Sequence, residues 1–278
     1  MKSIAALITV HNRKDKTLAC LTALNQCSIP EGYRMDIYMV NDGCTDGTAD
    51  AVAEKFPEII IVEGNGNLFW NKGMHLAWTT AANRYSYNHF LWLNDDTILF
   101  PDTIDELIAC SDSMNCQKIV IGTTCSITDK NKITYGGRTA NGELVIPNGT
   151  AQPCDYFHGN IVLISKYVFY VVGINDPVFG HALGDFDYGK RAGKLGIGSV
   201  VLAGISGTCD AHDDFAAWCN RKTPLRKRLK LLYTPLGNHP IEFFRYDCRH
   251  QGFMIALFHF FTIHLRAVIP YLWKERDK

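Results

Sequence analysis

Phe90-Leu91-Trp92-Leu93-Asn94-Asp95-Asp96-Thr97 runs four apolar residues straight into two adjacent carboxylates. A short apolar run without alternation suits a strand buried on both faces, as in a mainly parallel sheet covered by helices. In such sheets ligands bind at the carboxyl ends of the strands, where a loop can be polar without disturbing the core. Neighbouring acids at that place have two readings. They are solvated strand-end groups, or they hold a hard divalent cation against a diphosphate, which relieves both their repulsion and the cost of burying unpaired charge.

Outward from this strand, apolar runs over 4–10, 35–41, 59–63 and 119–124 alternate with helix-length segments over 15–27, 48–56, 72–83 and 102–114. That alternation predicts an α/β fold with a parallel sheet. Leu18, Leu21 and Leu24 share one face of the first helix, and Pro101 fits the first turn of the last. From 126 to 160 the chain turns polar and glycine-rich, with Gly136-Gly137 and Asn141-Gly142 marking hairpins. An apolar stretch at 161–172, a helix over 185–195 and a late strand at 197–203 follow.

Hydrophobic content of 47% with 20% charged residues excludes a disordered chain. The net charge of zero hides an asymmetry, because residues 221–278 hold 12 of the 28 Lys and Arg but 4 of the 28 Asp and Glu. We expect a domain over 1–220 and a basic, apolar helical appendage over 221–278. The apolar segment 252–273 contains His259, His264, Arg266 and Pro270, which suits a packed or interfacial amphipathic helix better than a spanning one. The basic run at 221–230 lacks interleaved aromatics, which argues against a nucleic-acid partner. Ten scattered cysteines without a C-x-x-C pair read as reduced thiols of a cytoplasmic protein, and the short apolar N-terminal run reads as a first strand and not a leader.

Three further element ends carry polar groups. The first strand closes on Thr9-Val10-His11-Asn12-Arg13, and the second on Asn41-Asp42-Gly43-Cys44-Thr45-Asp46-Gly47. Asp42 there can accept from a nucleobase or ribose, Gly43 permits a tight turn, and Asp46 either joins the site or caps the next helix. Leu183-Gly184-Asp185-Phe186-Asp187 opens a helix, where carboxylates are favoured by the helix dipole or serve as a base for an acceptor hydroxyl. Gly64-Asn65-Gly66 lacks the third glycine of a dinucleotide fingerprint, and neither a Walker loop nor H-E-x-x-H is present.

Taken in order, these pieces resemble the family 2 glycosyltransferases over about residues 3–215. Ile8-Thr9-Val10-His11-Asn12-Arg13 is similar to that family's first-strand signature, and Val40 to Thr48 resembles its Val-Asp-Asp/Asn-Gly-Ser-x-Asp loop with Cys44 in place of Ser. Asn67 to Gly73 resembles its Asn-x-Gly-x-x-x-Gly segment, Leu93 to Thr97 its D-x-D region, and Gly184-Asp185-Phe186-Asp187 its Glu-Asp-x-Asp motif with Gly for Glu. The resemblance implies a GT-A fold, a mixed and mainly parallel sheet flanked by helices. It also implies inverting hexosyl or deoxyhexosyl transfer from a nucleotide-diphospho-sugar donor to a glycan or lipid-linked acceptor.

By the same resemblance Thr9, His11, Asn12, Asn67 and Lys72 would bind the donor, Asp42 its base, and Asp95 its ribose. Asp96 would hold Mg²⁺ or Mn²⁺, with Asn94 standing where a first acid is usual. His212 is either a second metal ligand or a plain surface histidine. Asp185 would be the base, at an ordinary carboxylate pKa, with Asp187 supporting it or binding acceptor. Trp70 and His158-Gly159-Asn160 would form the sugar or acceptor pocket, though Trp70 suits packing equally. Surface polysaccharide or lipopolysaccharide synthesis at the inner face of the plasma membrane would use the basic tail to hold anionic lipid, the tail's other uses being packing or a homodimer. Two rival readings are a catalytically silent sugar-nucleotide-binding or assembly subunit, which Gly184 favours, and a nucleotidyltransferase, which the glycine-free His11-Asn12-Arg13-Lys14 disfavours.

Overall fold

The computed structural model describes residues 1–211 and 216–272. Its first strand, β1 (Lys2–Val10), is buried from Ser3 to Val10, so both of its faces are covered. Ile4, Ala6, Ile8 and Val10 feed one core, and Ala5 and Leu7 feed another. This is the period of two that strand geometry imposes. There follow α1 (Lys14–Asn25), β2 (Tyr33–Asn41), α2 (Thr48–Lys55), β3 (Ile60–Glu63), α3 (Phe69–Arg84), β4 (His89–Leu93), β5 (Ile98–Leu99), α4 (Thr103–Ser113) and β6 (Ile119–Cys125). Short strands β7 (Ile133–Tyr135), β8 (Gly137–Arg138), β9 (Gln152–Cys154) and β10 (Tyr156–Phe157) lead to β11 (Ile161–Ser165), α5 (Lys166–Val172), α6 (Gly184–Lys194) and β12 (Ser199–Thr208).

The five strands expected in the first 125 residues all form. The apolar stretch 161–172 divides into strand and helix at Ser165, whose hydroxyl accepts the Val168 N–H as an N-cap. Among the described residues ten strands join one sheet, ordered β3-β2-β1-β4-β11-β6-β12-β5, with β7 on β6 and β9 on β12. The strands β3, β2, β1 and β4 pair in parallel, as do β6 and β12, while β11 runs against β4 and β6. Helices α1, α2 and α4 pack on one face; α3, α5 and α6 pack on the other. Trp78 of α3 lies against Phe90, Trp92, Phe169 and Tyr188 with ring centroids 5.4–5.9 Å apart. Truncating it to Ala should cost about 3–5 kcal/mol.

The chain divides into two compact units, one of Met1–Pro177 and Asp185–Ala211, the other of Val178–Gly184 and the described part of 212–278. The division falls earlier than the boundary expected at 220, and no sequence signal announced that 178–184 joins the second unit. That unit holds α7 (Leu225–Leu232), α8 (Pro240–His250) and α9 (Phe253–Val268). Buried Arg228 of α7 donates to the carbonyls of Ala267, Val268 and Thr223, which satisfies the open end of α9. Among the described residues no helix is long and apolar enough to cross a membrane.

Candidate active site

The ends of β1, β2 and β4 lie side by side, since β1 pairs with both of the others. At the end of β2, Asp42 is 3% exposed and its carboxylate accepts the backbone N–H groups of Gly66, Leu68 and Phe69 at 2.8, 2.9 and 3.0 Å. Asp42 thus supplies the cap that Leu68 does not, and a carboxylate is doubly favoured at a helix start. Asp42, expected at the nucleobase, thus anchors the start of α3 with three of the roughly four acceptor sites of a carboxylate. Thr9 is buried beneath Gly73, where any side chain would strike its hydroxyl. His11 and Asn12 are exposed at the end of β1, Asn67 is exposed on the loop that Asp42 holds, and Lys72 is half-buried one turn into α3. His11 Nδ1 contacts the Asp42 carbonyl at 2.6 Å, and Asn12 Oδ1 accepts the Thr45 N–H at 2.7 Å. Asp46 proves to be the capping group, accepting from Thr48 N–H, Thr48 hydroxyl and Lys14 N–H.

Beyond β4, Arg13 Nη1 bridges the two adjacent acids, 3.1 Å from Asp95 Oδ1 and 2.8 Å from Asp96 Oδ2. Sequence reading passed over Arg13; the available signal was a cation at the end of β1 beside acids at the end of its neighbour β4. Asp95 is 7% exposed, and burial pushes its carboxyl up to about 6, with Arg13 opposing and Asp96 adding to the rise. Behind the pair, Cys209 Sγ faces Asp96 Oδ1 at 3.5 Å, and burial together with Asp96 pushes that thiol up to about 12. A neutral thiol can donate to the acid without adding charge. Two acids gathered at one cation fit a hard divalent ion, which prefers oxygen ligands. His212 lies outside the described residues.

Asn94 connects this pair to the expected base. Its Oδ1 accepts the Trp70 indole N–H at 2.7 Å, so the residue standing in place of an acid orients an aromatic ring. The Trp70 ring in turn lies so close over Gly159 that a side chain there would collide with it. Gly159 N–H donates to Asp185 Oδ2 at 2.9 Å, and Phe186 N–H donates to Asp185 Oδ1 at 2.9 Å. Trp70 therefore both packs on Trp92 and walls the site. Asp185 is only half-buried, yet the wall around its carboxylate excludes enough water to push it up to about 6, against the two N–H donors. The ordinary pKa expected for Asp185 is corrected by that desolvation.

Asp187, expected to support Asp185 or bind acceptor, lies two residues further along α6. It is 0% exposed and pairs with Arg191 Nε at 2.8 Å, while Arg191 also donates to the carbonyls of Val172 and Ile174. Two residues apart on a helix point to opposite sides, so Asp185 meets the site and Asp187 the core. Beside Asp185, the rings of Phe186, Tyr156, His158 and Tyr135 form an aromatic wall with centroids 4.9–5.4 Å apart. Burial, with Arg138 adjacent, pushes His158 down to about 4 and keeps it neutral.

By sequence, no curated protein matches the chain. By structure it is similar to TarS of S. aureus, with a TM-score of 0.53 at 13% identity over 87% of this chain and 44% of that one. It is also similar to TarS 1–349 alone and with UDP, with TM-scores of 0.52 and 0.53 at 13% identity, covering 89% and 86% of this chain and 74% and 72% of those. The chain thus spans less than half of the first of these TarS chains, and the likeness carries the GT-A fold. The family model described as glycosyl transferase family 2 matches residues 5–170, more than half of the sequence, from β1 into α5. With its motifs placed at the carboxyl ends of β1, β2 and β4, the protein belongs to glycosyl transferase family 2.

Proposed function

We propose that the protein transfers a sugar, with inversion, from a nucleotide-diphosphate donor to a hydroxyl of a glycan or lipid-linked acceptor. The observation that carries this is the short path from a cation-binding acid pair to a fixed base: Asp95 and Asp96, then Asn94, Trp70, Gly159 and Asp185. Asp185 takes the acceptor hydroxyl proton as that oxygen bonds to the anomeric carbon. The bond to the diphosphate breaks on the opposite face, and its electron pair leaves with the phosphate oxygen. A base near 6 is ionised at neutral pH yet holds a proton better than an exposed acid. Asp96, with Asp95 beside it, would hold Mg²⁺ or Mn²⁺, which when bound supplies positive charge to the departing diphosphate.

His11, Asn12 and Asn67 are the exposed groups on the nucleoside side, and Lys72 and Arg13 are the cations for the phosphates. The wall of Tyr156, His158 and Phe186 suits the apolar face of an acceptor sugar. In the second unit, α9 exposes Phe253, Met254, Phe258, Phe261 and Leu265, and α7 carries Arg226, Lys227 and Lys230. That pairing of apolar and basic groups supports attachment to an anionic membrane and a role in surface glycan synthesis. Release of nucleoside diphosphate from a panel of nucleotide sugars with Mn²⁺ tests the activity. Slow hydrolysis of at least one donor, accelerated by acceptor glycans, is expected; hydrolysis of none overturns the reading.

A further inference from the structure

The opposite end of β4 carries a second group of ligating side chains. His89 opens the strand, while Asp112 and Cys116 come from the end of α4 and the turn after it. His89 Nε2 lies 3.9 Å from Cys116 Sγ, and Cys116 Sγ lies 3.3 Å from Asp112 Oδ1. One ligand atom from each of the three residues lies within 4.8 Å of the others. Around a tetrahedral zinc, with bonds of roughly 2.0–2.3 Å, ligand atoms stand about 3.5 Å apart. Two of the separations fall on either side of that value and the third lies within 4.8 Å, so side-chain rotations would bring the three atoms to an ion.

The chain builds this arrangement at a local cost. Asn115 and Cys116 both have positive φ, 53° and 56°, a region that residues other than glycine seldom adopt. The turn is held by Cys116 N–H on the Ser111 carbonyl at 2.8 Å and by the Ser165 hydroxyl on the Cys116 carbonyl at 2.5 Å. Its effect is to bring the thiol over His89, whose Nε2 also lies 3.4 Å from the Ser111 hydroxyl. Asp112 lines a depression with Lys2, Tyr33 and Ile108, and Cys116 is itself partly exposed, while His89 is buried behind them. Lys2 Nζ, 3.8 Å from Asp112 Oδ2, is the charge an incoming ion would displace.

Ligand chemistry separates this cluster from the sugar site. A thiolate, an imidazole and a carboxylate select zinc, whereas the oxygen-only pair Asp95 and Asp96 suits magnesium or manganese. We propose that His89 Nε2, Cys116 Sγ and an Asp112 oxygen bind one Zn²⁺, with solvent in the fourth position, so that the end of α4 is clipped to the start of β4. Binding releases the Cys116 thiol proton to solvent.

Cobalt(II) titration of the metal-stripped full chain tests this, because a thiolate ligand gives a charge-transfer absorption that oxygen ligands do not. The band is expected in the wild type and in Asp96→Asn, and is expected to vanish in Cys116→Ser. Asp112→Asn, a change at a partly exposed residue that leaves the packing intact, should weaken cobalt binding about tenfold or more. Zinc should raise the thermal midpoint of the wild type and not that of Cys116→Ser. Absence of the band in the wild type, or an equal band in Cys116→Ser, overturns the proposal.

Discussion

The acid pair after β4 and the single acid at the start of α6 are both pushed up to about 6 by burial in one member, but the protein answers their charge differently. Asp95 and Asp96 meet a guanidinium, a whole opposite charge that another cation can replace. Asp185 meets the backbone N–H groups of Gly159 and Phe186, which fix its direction while leaving it a high proton affinity. The first arrangement suits exchange of cations, the second suits transfer of a proton. Donor binding and acceptor activation should therefore be separable by substitution.

The largest expected effect is at Asp185. Asp185→Asn should lower transfer by about 10²–10⁴-fold while changing donor affinity little, because only proton removal is lost; turnover kinetics beside equilibrium donor binding will show whether the two separate. Gly159→Ala comes next. Its methyl group would strike Trp70 and move the base's anchor, with an expected loss of about 10²-fold in kcat for a displacement near 1 Å. Acidification is milder. The base must be ionised, so kcat should fall with unit slope below about pH 6 and reach roughly a tenth of its plateau near pH 5. A profile flat down to pH 4 would move the base elsewhere. Arg13→Lys should have the smallest effect, a few-fold rise in KM for the donor, since a lysine keeps the charge but loses the planar guanidinium geometry.

Much of this was legible in the sequence because strand burial and strand-end polarity are local signals. The eight buried residues of β1, the apolar run of β4 and the order of the motifs all follow from short windows. What sequence reading missed depends on partners distant along the chain. Asp42 meets its three N–H donors across 24–27 residues, and Arg13 meets the acid pair across 82–83. The burial of Asp187 was readable in part, since Arg191 follows one helical turn later and helix geometry turns residue 187 away from residue 185. The pKa of Asp185 was not, because burial in the folded chain sets it, against a Gly159 N–H that comes from 26 residues away.

Donor-induced thermal stabilisation, measured with Mn²⁺ on the wild type, Asp96→Asn and Asp185→Asn, tests the division of labour most directly. One nucleotide sugar should stabilise the wild type and Asp185→Asn alike and leave Asp96→Asn unchanged. Equal stabilisation of all three, or stabilisation lost only in Asp185→Asn, would contradict that division.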